Sequence, residues 1–391
     1  MKLVVIGLGQ CGGRLADEFA RLNLRARQMR GLDVLVDAFA VNSDTTDLTG
    51  ITTIKADHHH RILIGAELTR GHGVAKMSDV GADIALKDGD KVIDTLRRNP
   101  RLFECDAFLL VTSTGGGTGS GAAPIIARLL KERVNDRPVY VIAVLPFEHE
   151  EENEEHAVFN TAVCLKSLSE VADAVFLVDN QRYVGKDASV ARNIQRINQL
   201  IAAPFFNLLC AGEERKPKHI GAKTMDAGDI IQTLAGWTAI GYGQLLKPII
   251  PLPHDESRNF YKRGTATEEG IRAMDEAIAE LSVTVKAAEA YRALYLISGP
   301  HKDLSLNLIQ DLDAYLRLVC PQATIRGGDY PVEKGVLDIT VILSELGEAE
   351  VVRHFYQKAT KLQREQESRQ QARANKANLA EEAGKDIPTL L

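Results

Sequence analysis

The sequence contains few cysteines, few aromatic residues and no excess of basic charge. Its 391 residues include five cysteines, one tryptophan and 5% aromatic residues, and the formal net charge is −6. The cysteines are scattered and odd in number, and no pair has the spacing of a zinc knuckle. This pattern excludes a disulfide framework and favours a reducing compartment. The lack of a basic surplus argues against nucleic acid as the main partner.

Long hydrophobic runs are also absent. No segment reaches the roughly 20 apolar residues that a membrane-spanning helix needs, and the first residues are typical of a buried strand rather than a signal peptide. We therefore expect a cytoplasmic protein with no direct membrane insertion. With 45% hydrophobic and 26% charged residues, the composition is that of a globular protein, and the length suits two domains.

The most informative pattern lies in residues 107–130. The apolar run Ala107–Val111 predicts a buried parallel strand, and residues 125–130 continue a helical pattern. Between them, Gly115–Gly121 has five glycines in seven positions. Bare amides at the start of a helix bind phosphate, so the segment predicts a phosphate loop, although it lacks the Lys-Ser/Thr pair of a Walker A loop. The alternative is a flexible turn, which would rarely separate a buried strand from an amphipathic helix.

A second glycine-rich corner follows a predicted strand at residues 2–6. Gly7–Gly13 matches the GxGxxG pattern at a strand-to-helix junction, which dinucleotide-binding enzymes also carry. Asp33 or Asp37 could supply the acidic residue of such an enzyme, so a nicotinamide-dependent enzyme stays open as an alternative. A second phosphate loop, however, is not needed in a dinucleotide fold.

These segments resemble the tubulin/FtsZ family of GTPases. Gly115–Gly121 is similar to the family's signature loop, Gly9–Gly13 (GQCGG) is similar to the first loop of tubulins, and residues 207–214 and 326–332 resemble the archaeal CetZ branch. The resemblance covers residues 1 to about 346. It implies an α/β fold with a Rossmann-like, doubly wound parallel sheet and a smaller α+β C-terminal domain. The implied segments are an N-terminal GTP-binding domain at 1–189, a central linking helix at 190–212, a C-terminal domain at 213–346 with a synergy loop at 223–230, and a charged helix and tail at 347–391.

The resemblance also implies a nucleotide site for GTP or GDP. FtsZ proteins place a Glu-Gly pair and a later Arg against the sugar and base, and this chain departs from that pattern, since the expected Arg is missing. Counting back from the next strand puts Asn153 at the Glu position, and we favour it over the neighbouring Glu150, Glu152 and Glu154. Mg²⁺ is expected to be held by phosphate oxygens and water, so no protein metal ligand is named. The expected nucleotide-binding residues are Gly9, Gln10, Cys11, Gly12, Gly13, Asn42, Gly71, Gly73, Thr114, Gly115, Gly116, Gly117, Thr118, Gly119, Ser120, Asn153, Asn180 and Asn198.

Several of these residues have plainer interpretations. Cys11 suits a small buried position, Asn42 and Asp44 suit a turn, and the acidic stretch around Asn153 suits a helix start. Asn198, on a mostly apolar helix, needs a hydrogen-bond partner in any case. Residues 253–266 are polar and irregular and are expected to form a loop.

Asp226 and Asp229 form an acidic pair three positions apart. On a helix both carboxylates share one face, but the spacing also fits a helix-capping arrangement. The resemblance implies a catalytic role, in which this loop enters the nucleotide site of the next subunit in a filament. Asp226 would then orient the attacking water, and Asp229 would support it.

The implied function is a GTP-hydrolysing cytoskeletal protein that stacks head to tail with itself and contributes to cell shape. An FtsZ-type division ring is the main alternative, and a non-hydrolysing nucleotide-binding scaffold is another. The terminal peptide Asp386–Leu391 resembles the D-I-P peptide through which FtsZ meets membrane adaptors, so an adaptor protein is a possible partner. Residues 348–380 are expected to form an exposed, partly frayed helix or a solvated tail.

Overall fold

The computed structural model describes residues 1–134, 137–183, 190–214, 216, 219–246, 259–333, 336–347 and 349–384. The terminal peptide Asp386–Leu391 lies outside the described residues. The strands are β1 Leu3–Leu8, β2 Leu35–Asn42, β3 Arg61–Leu63, β4 Ala107–Ser113, β5 Val139–Leu145, β6 Ala174–Asp179, β7 Gly236–Leu246, β8 Ala290–Gly299, β9 Thr324–Pro331 and β10 Val336–Leu346. The helices are α1 Gly9–Arg30, α2 Thr45–Thr49, α3 Ala66–Thr69, α4 Ser78–Arg97, α5 Thr118–Arg133, α6 Glu148–Asn153, α7 Glu155–Val171, α8 Val190–Ala211, α9 Ala227–Thr233, α10 Asn259–Ala279, α11 Leu306–Val319 and α12 Glu350–Gly384.

The N-terminal part of the sheet is parallel and buried on both faces. Its strand order is β3-β2-β1-β4-β5-β6, and every adjacent pair is parallel. Along β1, Val4 and Ile6 belong to one hydrophobic core while Leu3 and Val5 belong to the other. Helices therefore cover both faces, which confirms the predicted doubly wound sheet and explains why its strands are continuous apolar runs.

Strand β7 joins this parallel sheet to the C-terminal strands. Its first residues, Gly236–Thr238, pair with β6 in parallel, and residues 239–246 pair with β10 in the antiparallel direction. The full order continues as β7-β10-β8-β9. The C-terminal α+β part thus extends the same sheet, and helix α8 packs in the core beside it through Ile201, Phe205 and Leu208.

Three local features differ from the sequence prediction. Helix α10 begins at Asn259, inside the expected loop, and the chain has no proline between Pro253 and Pro300 that would interrupt a helix there. Strand β9 was not expected, since its Arg-Gly-Gly-Asp segment has low β-propensity. The first turns of α12 are not fully exposed: Val352, Phe355 and Ala359 are buried.

Among the described helices, none combines the length and the apolarity needed to span a bilayer.

Candidate functional site

A cavity of about 470 Å³ opens at the carboxyl ends of the parallel strands. The strand order reverses between β1 and β4, and open α/β sheets bind their ligands at such a switch point. The loops after β1, β2, β4, β5 and β6 all contribute to its wall. The cavity therefore lies where the topology favours a ligand.

Two helices start at this cavity without a side-chain cap. Helix α1 begins at Gly9 and helix α5 at Thr118, and in neither does a side chain of the described residues cap the first turn. The first amides of a helix have no partner within it, and the helix dipole adds positive potential there. The two starts thus provide one cavity with two sets of anion-binding amides.

Close packing of the two glycine corners depends on the missing side chains. A Cβ at Gly119 would lie 2.5 Å from Thr112 Oγ1 and 2.6 Å from the Leu8 carbonyl oxygen. A Cβ at Gly117 would lie 2.6 Å from Val74 Cγ2. The Thr118 hydroxyl is 2.6 Å from that of Ser43, at the end of β2. The phosphate loop can therefore pack this closely only if positions 117 and 119 are glycine.

The structure brings most of the expected residues to this cavity. Its wall includes Gly9, Gln10, Cys11, Asn42, Gly73, Gly115, Gly116, Gly117, Thr118, Gly119, Asn180 and Asn198.

Five expected residues lie behind the wall and shape it. A Cβ at Gly12 would overlap the Val111 carbonyl, and Gly13 faces Ile51. The Thr114 hydroxyl donates to the Val144 carbonyl at 3.3 Å, the Ser120 hydroxyl donates to the Gly116 carbonyl, and the Gly71 carbonyl accepts from Thr45 N at 3.0 Å.

The sixth expected residue outside the wall, Asn153, faces away from the cavity. Its side chain is exposed and donates to the His149 carbonyl at 2.7 Å. Glu150 lines the cavity instead and accepts from Phe147 N at 3.1 Å. A helix advances about 1.5 Å per residue, so Asn153 lies nearly one turn farther along α6. The sequence alone did not reveal where α6 begins, so counting residues could not show which of its side chains faces the cavity.

A hydrogen-bonded group closes the side of the cavity formed by the end of β2. Gln10 Nε2 and Asn42 Nδ2 donate to the two oxygens of Asp47, at 2.7 and 3.0 Å. Asp44 accepts from the amides of Thr46 and Asp47 and caps α2. These residues thus form the expected turn and also line the cavity.

Another part of the cavity wall carries amides beside apolar groups. Asn180 follows β6, Asn198 lies on α8, and Phe147 and Ile197 are their neighbours in the wall. An amide side chain offers a donor and an acceptor together. This arrangement suits a planar, hydrogen-bonding base more than a second phosphate.

Asn160 is a structural element of the site that the sequence did not indicate. It is 4% exposed, and its Nδ2 lies 2.8 Å from the Lys76 carbonyl, 3.2 Å from that of Gly115 and 2.9 Å from that of Gly116. It thereby ties the phosphate loop to the loop before α4. The sequence offered one hint of this role: an asparagine on the apolar face of a predicted helix needs a buried hydrogen-bond partner.

Lys76 is the cation on that adjoining loop. Its ammonium pairs with Glu154, and Glu150 Oε1 is 3.7 Å away. The hydrogen bond that Lys76 donates to Glu154 is the main reason that the pKa of Lys76 is raised. Ala75 and Lys76 both have positive φ values, 48° and 62°, a conformation that costs free energy for residues with side chains. Such strain concentrates at ligand-binding loops.

Cys11 lies in the wall as a neutral thiol. Burial raises the pKa of Cys11 to about 11, against a smaller opposing effect of Arg14. The thiol is therefore protonated at neutral pH and forms a small apolar part of the cavity wall.

The acidic residues of the dinucleotide alternative do not reach the cavity. Asp33 precedes β2 and pairs with Arg101 at 3.0 Å. Asp37 lies early in β2 and accepts from Asn99 Nδ2 at 2.6 Å. A ribose-binding carboxylate would be needed at the other end of the strand, where this chain has Asn42. The geometry thus counts against a nicotinamide enzyme.

The acidic pair lies elsewhere in the chain and does not line this cavity. Asp226 is the N-cap of α9 and accepts from Asp229 N at 2.9 Å, while Asp229 Oδ2 lies 3.4 Å from Asp226 N. Asp229 also pairs with Arg326 at 3.3 Å. Asp226 is exposed, and among the described residues its second oxygen has no hydrogen-bond partner. The structure therefore contains the capping arrangement, and the part of the chain that the structure describes leaves the second Asp226 oxygen exposed and without a partner.

Comparisons with known proteins cover both halves of the chain. The family model "Tubulin/FtsZ family, GTPase domain" matches residues 2–185, and the model "Tubulin-like CetZ, C-terminal domain" matches residues 187–361. The tubulin-like protein CetZ1 of Haloferax volcanii is 31% identical over 348 residues, which is 85% of each chain.

Solved structures agree with this assignment. The GDP-bound monomer of CetZ1 from Haloferax volcanii has a TM-score of 0.78 and 28% identity, with 93% of this chain and 100% of that chain covered. The GTPγS-bound protofilament of CetZ2 from the same organism also has a TM-score of 0.78, with 29% identity, and covers 94% of this chain and 100% of that chain. The chain therefore belongs to the tubulin/FtsZ superfamily and, within it, to the CetZ group.

Proposed function

We propose that this protein binds GTP in the cavity, stacks head to tail into filaments, and hydrolyses GTP when the acidic loop of the next subunit completes the site. One observation carries the proposal: two uncapped helix starts face a cavity whose own wall lacks Asp226, while Asp226 is exposed and one of its carboxylate oxygens has no hydrogen-bond partner within the described part of the chain. The phosphate-binding and water-activating groups are both present, but they are separated in one chain.

The cavity suits a guanosine polyphosphate along its whole length. The amides of Gly117–Gly119 and of Gly9–Cys11 would hold the phosphates, and the amides of Asn180 and Asn198 would contact the base. Glu150, which lines the wall near Phe147, replaces Asn153 as the candidate for the ribose hydroxyls. The CetZ structures with bound GDP and GTPγS support this assignment.

Mg²⁺ would accompany the phosphates. Within the described residues, no cluster of three or more His, Cys, Asp or Glu side chains could hold a metal alone. Mg²⁺ usually keeps several waters and binds phosphate oxygens directly. Asp44 and Asp47 in the wall could then accept hydrogen bonds from those waters.

Electrostatics favours delivery of the acidic loop by a neighbour. Two carboxylates held permanently beside a triphosphate would repel it, whereas carboxylates that arrive on assembly make hydrolysis depend on the filament. A head-to-tail contact uses two different surfaces and leaves an open filament. Asp226 would orient and polarise the water for in-line attack, and Asp229 would hold Asp226 in place.

Nucleotide identity tests the binding part of this proposal. Protein purified without added nucleotide is denatured, and the released ligand is separated by chromatography and identified by its ultraviolet spectrum. We expect GDP or GTP. A nicotinamide dinucleotide would instead support the alternative enzyme class.

Two substitutions at Asp226 separate catalysis from helix capping. Asparagine is as good an N-cap as aspartate but is not a base, so Asp226→Asn should keep stability and GTP binding and lose filament-linked phosphate release. Asp226→Ala should lose the same activity and also about 1 kcal/mol of stability. Ser305→Ala, which removes the cap of α11, is the control for cap loss alone. Wild-type turnover by Asp226→Asn filaments would leave the residue with only its capping role.

We propose a role in cell shape or related cytoskeletal control, because the chain belongs to the CetZ group. An FtsZ-type division ring is the alternative, and the terminal Asp386–Leu391 peptide is the feature that favours it. Deleting residues 385–391 should leave filament assembly intact and abolish capture of any membrane adaptor. Localisation of the tagged protein along the cell body or at the division site would decide between the two roles.

A further inference from the structure

We infer that the Arg-Gly-Gly-Asp segment of β9, Arg326–Asp329, is the clamp that positions the acidic loop for hydrolysis. This inference rests on the proposed function, since it concerns how the catalytic loop is presented to the next subunit. The observations that carry it are hydrogen bonds, an ion pair and close packing between this segment and residues 221–229.

Asp329 holds the backbone just before the acidic pair. Its Oδ2 accepts from Ala222 N at 3.0 Å and its Oδ1 accepts from Lys223 N at 2.6 Å, while its own amide donates to the Lys223 carbonyl at 3.0 Å. Asp329 is 5% exposed. Hydrogen bonds from amides to a buried carboxylate are charge-assisted and well oriented, so the loop is fixed by three bonds to one residue.

Two glycines, Gly328 on β9 and Gly221 on the loop, let the loop lie against β9. A Cβ at Gly328 would lie 3.0 Å from Met225 Cβ and 3.2 Å from the Lys223 carbonyl oxygen. On the loop side, a Cβ at Gly221 would lie 2.5 Å from Asp329 Cγ. Met225 is 2% exposed, and the chain emerges from it directly into exposed Asp226. Burial of Met225 thus sets the point at which Asp226 leaves the core.

Arg326 holds the other end of the loop. Its Nε is 3.3 Å from Asp229 Oδ1 and its Nη2 donates to Gln232 Oε1 at 2.5 Å. Because Asp229 is engaged by Arg326 and by the amide of Asp226, it is not available as a base. One oxygen of Asp226 has no partner among the residues that the structure describes, so the clamp assigns positioning to Asp229 and the water-activating role to Asp226.

The clamp is anchored in the C-terminal domain through β8. Arg326 and Asp329 are paired in register with Leu294 and Ile297 of β8, both of which are fully buried. Lys223 also pairs with Asp313 of α11 at 3.2 Å, and Asp313 accepts from Tyr295 at 2.8 Å. The loop therefore moves as one body with the C-terminal sheet.

The primary test is Asp329→Asn. Asparagine has one acceptor oxygen, and its NH₂ group would face the amide that the second oxygen now accepts from. A misplacement of about 1 Å can cost about 100-fold in rate, so we expect filament-linked GTP turnover to fall by about 10-fold to 100-fold. GTP binding by the unassembled variant should be unchanged.

Mixed filaments distinguish a displaced loop from a damaged protein. Each wild-type loop serves whichever nucleotide lies next to it, including that of a variant subunit. If Asp329→Asn affects only its loop, turnover in mixtures falls in proportion to the wild-type fraction, as it should with Asp226→Asn. A fall with the square of that fraction would show that the variant's own nucleotide site is also damaged, and this would overturn the inference. Sedimentation confirms that both subunits enter the polymer.

Arg326 is the second position to test. Its side chain is half-buried, so substitutions there should not prevent folding. Arg326→Gln removes the pair with Asp229 and should lower turnover by about 10-fold, while Arg326→Lys retains the charge and should recover part of it. Equal turnover in the wild type, Arg326→Gln and Arg326→Lys would contradict a positioning role for Arg326.

Asp17→Asn is the matched control. Asp17 accepts from the amides of Thr53 and Ile54 at 2.6 and 2.7 Å, so it holds a loop in the same way but belongs to neither the cavity nor the acidic loop. Its turnover should stay within about 2-fold of wild type. If the wild type shows no filament-linked hydrolysis at all, the proposed function fails; if wild type hydrolyses and Asp329→Asn does so equally, only the clamp fails.

Discussion

At the scale of single residues, the site depends on the absence of Cβ atoms at its glycines and on the hydrogen bonds that the buried Asn160 side chain donates. The glycine corners could be predicted from the sequence, because a run of glycines between a strand and a helix has few other uses. Asn160 could not be predicted, since nothing in its sequence neighbourhood says which carbonyls its amide will meet. The sequence favoured Asn153 over Glu150 for a related reason: the start of α6 sets which residue faces the cavity, and the sequence did not reveal that start.

Gly119→Ala should separate the two glycine corners. The added methyl group would lie 2.5 Å from Thr112 Oγ1 and 2.6 Å from the Leu8 carbonyl oxygen, and overpacking of this kind costs about 1–3 kcal/mol. We expect loss of nucleotide retention and a lower free energy of unfolding, measured by chemical denaturation. Gly50→Ala is the control, because Gly50 has αR angles and its nearest neighbour would be 3.4 Å away. Unchanged nucleotide retention in Gly119→Ala would refute this packing argument.

Asn160→Ala should loosen the link between the phosphate loop and the Lys76 loop. Three carbonyls would lose their shared donor, and unsatisfied buried polar groups cost about 1–3 kcal/mol. We expect weaker GTP binding by calorimetry together with a loss of stability. Asn153→Ala, at the exposed position on α6, should change neither quantity by a measurable amount. Weaker GTP binding in Asn153→Ala than in Asn160→Ala would instead support Asn153 as a binding residue.

At the scale of elements, the sequence identified most strands and helices but not how they meet. Apolar runs marked β1, β4, β5 and β6, because strands buried on both faces have no polar alternation. Strand β9 escaped detection, since Gly-Gly-Asp is typical of a turn and becomes a strand only through pairing with β8. Helix α12 was expected to be exposed, yet its first turns pack on α7 and its polar face contacts Glu151 and Glu155.

The contact between α12 and α6 should weaken in acid. Burial by itself raises the pKa of Glu151, but hydrogen bonds from His354 and Lys358 outweigh it and hold the pKa below its usual range. Because the folded pKa is below the unfolded one, about 4.3, this carboxylate stabilises the fold fully above that value. The contribution is lost as the pH falls through the lowered folded pKa.

Hydrogen exchange of α12 as a function of pH tests this expectation. Wild type should be better protected than Glu151→Gln at pH values near neutral, and the difference should vanish in acid, once the carboxylate is protonated. Glu132→Gln is the control, since Glu132 is exposed and its one ion pair with a described residue is the i, i+4 pair with Arg128 at 3.8 Å. An equal difference between Glu151→Gln and wild type at all pH values would exclude the ion pair as its cause.

At the scale of the whole molecule, the phosphate-binding and acid-bearing parts lie on one continuous ten-stranded sheet. The resemblance to tubulin and FtsZ implied both parts, but the sequence did not show that β7 runs from one into the other, because its first three residues pair with β6 and the rest with β10. The continuous sheet connects the part that carries the glycine corners to the part that carries Asp226. In the function proposed above, each subunit would act on its neighbour's nucleotide through this connection without a change of fold.

The most direct test of this account is GTP turnover per subunit as a function of protein concentration, with sedimentation measured in parallel. We expect turnover per subunit to be low below a threshold concentration and to rise together with the pelleted fraction, while Asp226→Asn pellets without the rise. Turnover per subunit that is constant across the same range, with or without polymer, would contradict the claim that a neighbouring copy completes the site.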